Sequence, residues 1–213
     1  MERAAAAGGR ASARRAAGRG FGREPKGVDP ADQDPISAAR EICLRQLTLG
    51  PRTKAQLVAA LARRGVEEEV AEQVLGRLAE VGLVDDAAFA AAWVESRHAG
   101  RGLARKALAH ELRRRGVADP VVDGAVADLD PERELETARE HAVRRLAASR
   151  GLDPAVRFRR AAGTLARKGY SQALAYRVVR EALEAEAGGA DGADGAGGLD
   201  EALDGFDPDA DDF

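Results

Sequence analysis

The chain has 213 residues and a formal net charge of −3, and hydrophobic residues make up 45% of it but aromatic residues only 4%. The scarcity of aromatic and, apart from valine, of β-branched side chains disfavours a sheet-rich core, whereas abundant alanine and leucine favour helices. A single cysteine, Cys43, excludes an internal disulfide and a cysteine-based zinc site, and we interpret it as a small buried hydrophobe. Because no apolar run reaches the ~20 residues of a membrane span, we expect a soluble protein with no membrane partner. The single cysteine fits a reducing compartment, so we expect the protein in the cytoplasm.

The net charge is distributed unevenly along the chain. Residues 1–35 carry +2, residues 36–186 carry +4 and residues 187–213 carry −9. The two ends are rich in glycine and alanine and cannot bury enough apolar surface to offset chain entropy. We therefore expect a disordered basic N-terminal tail (1–35) and a disordered acidic C-terminal tail (187–213). The arginine-rich start also matches the composition of an organelle transit peptide, and the acidic tail could compete with an anionic ligand for the basic middle of the chain.

The middle of the chain contains one pattern three times. Leu57, Leu61 and the Arg-Gly-Val of residues 64–66 recur 51 residues later within residues 108–117. A weaker copy follows after a further 53 residues and ends in the Lys-Gly-Tyr of residues 168–170. Because the apolar positions of each copy recur every three or four residues, each copy predicts a set of amphipathic helices.

Start and stop signals divide the first copy into three predicted helices. The first helix ends before the Gly-Pro of residues 50–51. The second follows Thr53, whose hydroxyl can form a capping box with Gln56, and ends at Gly65 in a left-handed conformation. The third begins with the glutamates of residues 67–69, which are favourable at the positive end of a helix dipole. Similar starts, with aspartate as the N-cap and proline in the first turn, lie at residues 34–35, 119–120, 130–131 and 153–154.

These signals predict an all-α fold of three tandem three-helix repeats. We expect repeat 1 at residues 36–84, repeat 2 at residues 85–130 and repeat 3 at residues 131–186. A unit of ~50 residues buries only a small apolar stripe, so neighbouring repeats should pack in series and form an elongated, curved helical array flanked by the disordered tails.

No pattern in the sequence indicates catalysis. His98, His110 and His141 lack the spacing and the carboxylate neighbours of a metal site, and we interpret them as surface histidines. The sequence contains no phosphate-binding loop and no nucleophile with an adjacent base, so we expect neither an enzyme nor a metal or cofactor site. Phe89 and Trp93, four residues apart, have core spacing, and Tyr170 replaces a valine of the repeated pattern, so packing is its expected role.

Basic residues concentrate in the second half of the repeats. Residues 97–115 carry +6 and residues 139–180 carry +9, whereas residues 36–84 carry only +1. At ~100° per residue, Lys106 and Arg160 lie opposite the apolar stripes of their helices. We therefore predict a basic face that binds an anionic or acidic partner, with a merely solvated, arginine-rich surface as the alternative. The predicted face comprises Arg97, Arg101, Arg105, Lys106, Arg113, Arg114, Arg144, Arg145, Arg157, Arg159, Arg160, Arg167 and Lys168.

The segment of residues 82–90, Gly-Leu-Val-Asp-Asp-Ala-Ala-Phe-Ala, followed by Arg97 and Gly102, resembles the RecX family of bacterial recombination regulators. The resemblance covers residues 36–186 and neither tail. It implies a monomeric helical-repeat protein that binds the RecA recombinase filament along its groove and contacts single- or double-stranded DNA weakly. It also implies inhibition of the ATP hydrolysis, strand exchange and co-protease activity of RecA, and it supplies no catalytic residues.

Two other functions remain open at this point. Helix-turn-helix proteins also use three short helices with a glycine-bearing turn, so a stand-alone DNA-binding regulator is the main alternative. Such a regulator would prefer one duplex site over competitor DNA even as salt rises. A helical scaffold is the other alternative, and it predicts that reversing the charge of Arg105, Lys106 and Arg113 has no functional effect.

Overall fold

The computed structural model describes residues 34–188, so the two predicted tails lie almost entirely outside the described residues. Within this range the chain forms nine α-helices and no strand, which confirms the all-α prediction. In chain order the helices are α1 (Pro35–Thr48), α2 (Lys54–Ala62), α3 (Glu68–Glu80), α4 (Asp86–Arg101), α5 (Arg105–Arg113), α6 (Asp119–Ala127), α7 (Pro131–Ala147), α8 (Pro154–Arg167) and α9 (Gln172–Gly188).

Successive sets of three helices pack together, and each set has its own core. Repeat 1 contains α1 to α3, repeat 2 contains α4 to α6 and repeat 3 contains α7 to α9. The tandem three-helix arrangement is therefore confirmed, and we retain the expected repeat boundaries as a proposal. Six of the large buried side chains belong to the predicted apolar stripes, namely Leu57 and Leu61 in repeat 1, Leu108 and Leu112 in repeat 2, and Phe158 and Leu165 in repeat 3. Leu75, Val122 and Val179, which the sequence analysis did not single out, are buried as well.

Local signals position the middle helix of repeat 1 as predicted. The Gln56 amide N donates to Thr53 Oγ1 at 3.2 Å and the Thr53 amide N donates to Gln56 Oε1 at 3.3 Å, which completes the capping box. Gly65 follows the helix with φ of +72°, the left-handed conformation that glycine adopts without steric cost. Asp130 and Asp153 cap α7 and α8 as expected.

The start of α6 differs from the prediction. Ala118, not Asp119, is the N-cap residue, and it supplies no side-chain acceptor. The Asp119 carboxylate instead accepts a hydrogen bond from Arg113 Nε at 2.7 Å. Because a cation of the preceding helix lies within reach, the aspartate forms an ion pair across the loop rather than a cap.

Both junctions between repeats use the same contacts. Gly116, after α5, lies against Ala55 near the start of α2, and Gly169, after α8, lies against Ala107 near the start of α5. The residue before each glycine accepts a hydrogen bond through its carbonyl oxygen: Thr53 Oγ1 donates to the Arg115 oxygen at 2.7 Å, and the Ala104 amide donates to the Lys168 oxygen at 2.9 Å. The two junctions therefore use corresponding positions of successive repeats, with a side-chain hydroxyl as the donor at the first junction and a backbone amide at the second.

The histidines occupy three different environments. His98 is only 2% exposed, so the prediction of a surface histidine is wrong for this residue. Its Nδ1 lies 2.9 Å from the Leu103 carbonyl oxygen and its Nε2 lies 3.1 Å from Thr137 Oγ1, because α7 covers this end of α4. His110 is exposed as predicted. His141 is half-buried against Gly102, where repeat 3 contacts repeat 2.

A candidate basic surface and an arginine cluster

The predicted basic residues separate into groups according to their partners. Several are exposed and have no carboxylate within ion-pair distance among residues 34–188, and these are Lys106, Arg114, Arg145, Arg159, Arg160 and Arg167. Others form surface ion pairs: Arg101 with Glu111, Arg113 with Asp119 and Asp123, and Arg144 with Glu140. Exposed pairs of this kind contribute little to stability, so these side chains can exchange partners readily.

A groove of about 1660 Å³ lies between repeats 2 and 3. Leu135 and Leu174 contribute apolar surface to it, and Lys106 and Arg159 contribute positive charge. Its lining also includes Arg177 of α9, Glu132 and Glu134. Glu134 is neutralised by Arg105 at 3.0 Å, so the basic side chains outnumber the remaining carboxylate in the groove.

Arg177 was not among the predicted residues. It is exposed, lines the groove and has no carboxylate partner in the described part of the chain. Arg177 was counted in the net charge of residues 139–180, but the apolar stripe of α9 alone does not show that this arginine lines the same groove as Arg159.

The helix α8 carries the most uneven charge of the described helices. Its fourteen residues, Pro154–Arg167, contain four arginines and no acidic residue. Arg159, Arg160 and Arg167 are exposed, as the helical periodicity predicts, while Phe158 and Leu165 are buried on the opposite side. The helix therefore presents positive charge without compensating carboxylates of its own.

Arg105 and Arg157 belong to the predicted face, but the structure places them in contacts within the fold. Arg105 forms an ion pair with Glu134, and its guanidinium donates to the carbonyl oxygens of Val126, at 3.0 Å, and Leu129. The Arg157 side chain is only 13% exposed and donates to the Leu146 carbonyl oxygen at 3.1 Å and to Glu186. Both guanidinium groups therefore form hydrogen bonds and ion pairs with other segments of the fold.

Lys168 also lies at the junction of repeats 2 and 3. Its Nζ donates to the Arg101 carbonyl oxygen. Burial, together with the charges of Arg101 and Arg144, lowers the pKa of this ammonium group. The ammonium is half-buried next to other cations, which distinguishes it from the freely exposed Lys106.

A second cationic cluster surrounds Trp93 at the junction of repeats 1 and 2. Arg97 Cζ lies 4.1 Å and Arg115 Cζ 3.6 Å from the centroid of the indole ring, within the range of cation–π attraction. The indole Nε1 donates to Glu111 Oε2 at 2.9 Å, and the ring stacks on Phe89 with centroids 5.7 Å apart. Core packing is confirmed for Phe89, which is 8% exposed, but Trp93 is only partly buried and has cations beside its ring.

The tyrosines have packing roles. Tyr170 is 4% exposed, as the repeated pattern predicts, and its hydroxyl donates to the Gly102 carbonyl oxygen at 3.2 Å. Burial raises the pKa of this phenol. Tyr176 packs edge-on against Phe158 with ring centroids 5.3 Å apart. Both rings therefore contribute to repeat 3 and its junction rather than to an open stacking surface.

Cys43 is fully buried in the core of repeat 1, and burial raises the pKa of its thiol, as expected for a small structural hydrophobe. Among residues 34–188, no three His, Cys, Asp or Glu side chains are grouped closely enough to hold a metal ion. None of the helices in this range combines the length and the apolar composition needed to cross a bilayer.

Comparison with known proteins identifies the family. Models of the first, second and third three-helix domains of RecX match residues 39–78, 85–126 and 132–179. The chain is 59% identical over 164 residues to "Regulatory protein RecX" of Streptomyces coelicolor, which covers 77% of this chain and 86% of that protein. It is 60% identical over 162 residues to the protein of the same name from Thermobifida fusca, covering 76% and 88%.

Solved structures agree with the sequence comparison. A crystal structure of regulatory protein RecX superposes with a TM-score of 0.64 at 25% identity and covers 70% of this chain and 74% of that chain. RecX from Lactobacillus salivarius, at 17% identity, has the same fold with a TM-score of 0.66 and covers 70% and 97%. Since all three domain models match in order and the relatives are aligned over most of their length, this chain belongs to the RecX family of regulatory proteins.

Proposed function

We propose that this protein binds the RecA nucleoprotein filament and inhibits its ATP hydrolysis, strand exchange and co-protease activity, and thereby regulates DNA repair and recombination. Membership of a family of regulatory proteins supports a regulatory role. The repeats in series and their basic surface favour a long anionic partner over a small molecule.

The observation that carries the proposal is the groove between repeats 2 and 3. Lys106, Arg159 and Arg177 line it from three different helices, and none of them has a carboxylate partner within the described residues. Uncompensated cations beside apolar surface match a partner that offers phosphates or carboxylates together with apolar side chains. A nucleoprotein filament offers both, because DNA phosphates and protein surface lie side by side along it.

The fixed junctions between repeats favour a multivalent contact with the filament. Because Gly116 and Gly169 dock successive repeats in a fixed way, the contacts of one repeat hold the next at a high effective concentration near the filament. Several modest contacts then multiply into tight binding. A protein held along the filament groove would hinder entry of a second DNA strand and the subunit motions that accompany ATP turnover.

Co-sedimentation with RecA filaments formed on single-stranded DNA tests the proposal. A triple variant with Lys106→Glu, Arg159→Glu and Arg177→Glu should bind at least about tenfold more weakly, because attraction becomes repulsion at three points. The matched control is Arg40→Glu, Arg64→Glu and Arg77→Glu, three exposed arginines of repeat 1 that have no carboxylate partner in the described chain. Equal losses in the two triple variants would contradict a role for the groove.

The stand-alone DNA-binding regulator is the second candidate, and the three-helix repeats with their left-handed glycines at residues 65 and 116 favour it. It predicts a preference for one duplex sequence over random duplex that persists as salt rises. Selection from a random duplex library at two salt concentrations distinguishes the two functions, since a filament regulator yields no enriched sequence.

A further inference from the structure

We propose that Arg52, Arg97 and Arg115 form a binding site for a backbone phosphate of a nucleic-acid strand at the junction of repeats 1 and 2. The inference deepens the proposed function and rests on it, because it names the chemical group that the protein would contact on a DNA-containing filament. Arg52 and Arg115 lie outside the predicted basic face, and the site lies at a different junction from the groove.

The geometry of the site is set by Trp93 and by the contact between repeats. The indole ring holds the guanidinium groups of Arg97 and Arg115 close to its centroid, at 4.1 and 3.6 Å. Thr53, which follows Arg52 in the chain, donates a hydrogen bond through Oγ1 to the Arg115 carbonyl oxygen at 2.7 Å. This contact joins the start of α2 to the end of α5. The indole therefore orients Arg97 and Arg115 before any ligand arrives, and Arg52 of repeat 1 lies close enough for its charge to act on Arg115.

The carboxylate at this site is already occupied. Glu111 accepts from the Trp93 indole at 2.9 Å and lies 3.6 Å from Arg97 and 3.5 Å from Arg101. Within residues 34–188, no carboxylate lies at ion-pair distance from Arg115, and the buried Arg52 Nε has no hydrogen-bond acceptor. The cluster therefore holds an excess of positive charge and at least one unsatisfied donor.

The electrostatics of Arg115 agree with this excess. Burial lowers the pKa of its guanidinium, and the nearby charges of Arg97 and Arg52 lower it further, against an opposing effect of Glu111. Like charges at close range destabilise one another, so a bound anion would relieve a repulsion that the folded protein contains.

A phosphate suits a cluster of three guanidinium groups because its tetrahedrally arranged oxygens can accept from several directions at once, whereas the two oxygens of a carboxylate lie in one plane. Each guanidinium offers a planar fork of N–H donors, which pairs with two oxygens of one phosphate. A guanidinium that stacks on an indole through its flat face keeps the N–H donors at its edge available. Arg115 has no carboxylate partner in the described chain, whereas Arg97 already lies 3.6 Å from Glu111. The half-exposed position of Arg52, Arg97 and Arg115 allows a strand to approach from solvent.

The test uses the full chain, a fluorescently labelled single-stranded oligothymidylate and no recombinase. Anisotropy titrations should show that Arg115→Gln and Arg52→Gln each bind roughly tenfold more weakly than the unmodified protein. Each should also reduce the slope of log affinity against log salt by about 0.7, the value for one lost contact with a single-strand phosphate. Trp93 is the only tryptophan of the chain, so a saturable change in its fluorescence should accompany binding.

Arg64→Gln is the matched control. Arg64 occupies the position of repeat 1 that corresponds to Arg115, 51 residues earlier, and it is exposed with no carboxylate partner in the described chain. The Arg64→Gln variant loses the same charge as Arg115→Gln, but at a position outside the proposed site. Its affinity for the oligonucleotide should therefore stay within about twofold of that of the unmodified protein. Equal losses in Arg64→Gln and Arg115→Gln would overturn the site. If Arg115→Gln loses helical circular dichroism, the affinities of Arg52→Gln and Arg64→Gln for the oligonucleotide are compared instead. Equal losses in these two variants would then overturn the site.

Two further titrations identify the ligand. Oligoglutamate of equal charge should leave Trp93 fluorescence unchanged, and an equal response to it would overturn the assignment to phosphate. Inorganic phosphate should perturb Trp93 only at much higher concentration than the oligonucleotide, and equal affinity would overturn the nucleic-acid source. Since RecA is absent from all these measurements, their failure is distinct from a failure to inhibit RecA.

Discussion

Gly116 lies so close to Ala55 that a Cβ at Gly116 would fall well under 3.0 Å from the alanine Cβ. A Cβ at Gly169 would likewise fall under 3.0 Å from Ala107, and the atoms that it would meet include the backbone nitrogen of that alanine. Both glycines also have left-handed φ, +79° and +87°. The glycine that ends each of these middle helices therefore serves two purposes, because it terminates the helix and lets the next repeat approach the preceding one.

Replacing these glycines should destabilise the junctions between repeats. Any alanine in the left-handed region costs about 1 kcal/mol, and overpacking against Ala55 or Ala107 adds roughly 1–3 kcal/mol. We expect Gly169→Ala to have the larger effect of the two, since backbone atoms of Ala107 cannot rotate away. Urea unfolding followed by circular dichroism measures the free energy of unfolding of each variant.

Gly65→Ala is the control for backbone strain alone. Gly65 has φ of +72°, and a Cβ there would meet no atom within 4 Å in the described part of the chain. The variant should lose only the strain contribution. Equal destabilisation by Gly65→Ala and Gly116→Ala would show that close packing between repeats contributes nothing.

Arg105 should matter more for stability than Arg113, although both lie in α5. Arg105→Ala leaves Glu134, whose side chain is only 11% exposed, without its cation and should cost about 3 kcal/mol, the lower end for a buried pair because Arg105 itself is 34% exposed. Arg113→Ala breaks ion pairs with Asp119 and Asp123 at the surface and should change stability little. Thermal and urea unfolding of the two variants test this, and a larger loss in Arg113→Ala would contradict it.

Features that depend on neighbouring residues were predictable from the sequence. The capping box of Thr53 and Gln56 and the apolar stripe of Leu108 and Leu112 involve side chains within four positions of each other. The buried environment of His98 was not predictable, because α7 covers this histidine and its contact residue there, Thr137, is 39 residues away in the sequence. Periodicity shows which side of a helix faces the core, but it does not show which neighbouring repeat covers the rest.

The same reason explains what was missed in the candidate site. Glu134 is 29 residues from Arg105, so the sequence alone left this arginine on the predicted surface. Arg115 was counted in the local charge, but its position against Trp93 depends on how α5 and α4 pack. The exposed arginines of α8, by contrast, follow from helical periodicity and from the absence of acidic residues in that helix.

Stability should fall as the solution becomes acidic, with His141 as one cause. Burial, followed by the charges of Lys168 and Arg144, lowers the pKa of its imidazole. The unfolded chain, with an ordinary histidine pKa of about 6.5, therefore binds a proton that the folded protein disfavours. Above a pH of about 6.5 the imidazole is neutral in both states, and the free energy of unfolding keeps its full value. That free energy falls as the pH drops from about 6.5 through the lower pKa of His141 in the folded state.

Urea unfolding at pH 7.5 and 5.5 measures this dependence. His141→Gln should reduce the difference in unfolding free energy between the two pH values, because it removes an imidazole whose pKa burial lowers. An undiminished pH dependence in His141→Gln would assign the effect to other groups.

The acidic C-terminal segment should weaken binding to DNA. Residues 189–213 contain nine acidic residues and no basic residue, and they lie outside the described residues. Removing them leaves α9 intact and should increase the affinity for single-stranded DNA at low salt, because a competing set of negative charges is lost. Affinity that stays unchanged at low salt would rule out this competition.

Single-strand-dependent ATP hydrolysis by RecA, measured while this protein is titrated in, tests the proposed function most directly. We predict progressive inhibition by the unmodified protein and by the Arg40→Glu, Arg64→Glu, Arg77→Glu control. The Lys106→Glu, Arg159→Glu, Arg177→Glu variant should require at least about tenfold more protein for the same inhibition. An unchanged rate of hydrolysis at every ratio, together with no co-sedimentation with the filament, would contradict the proposal.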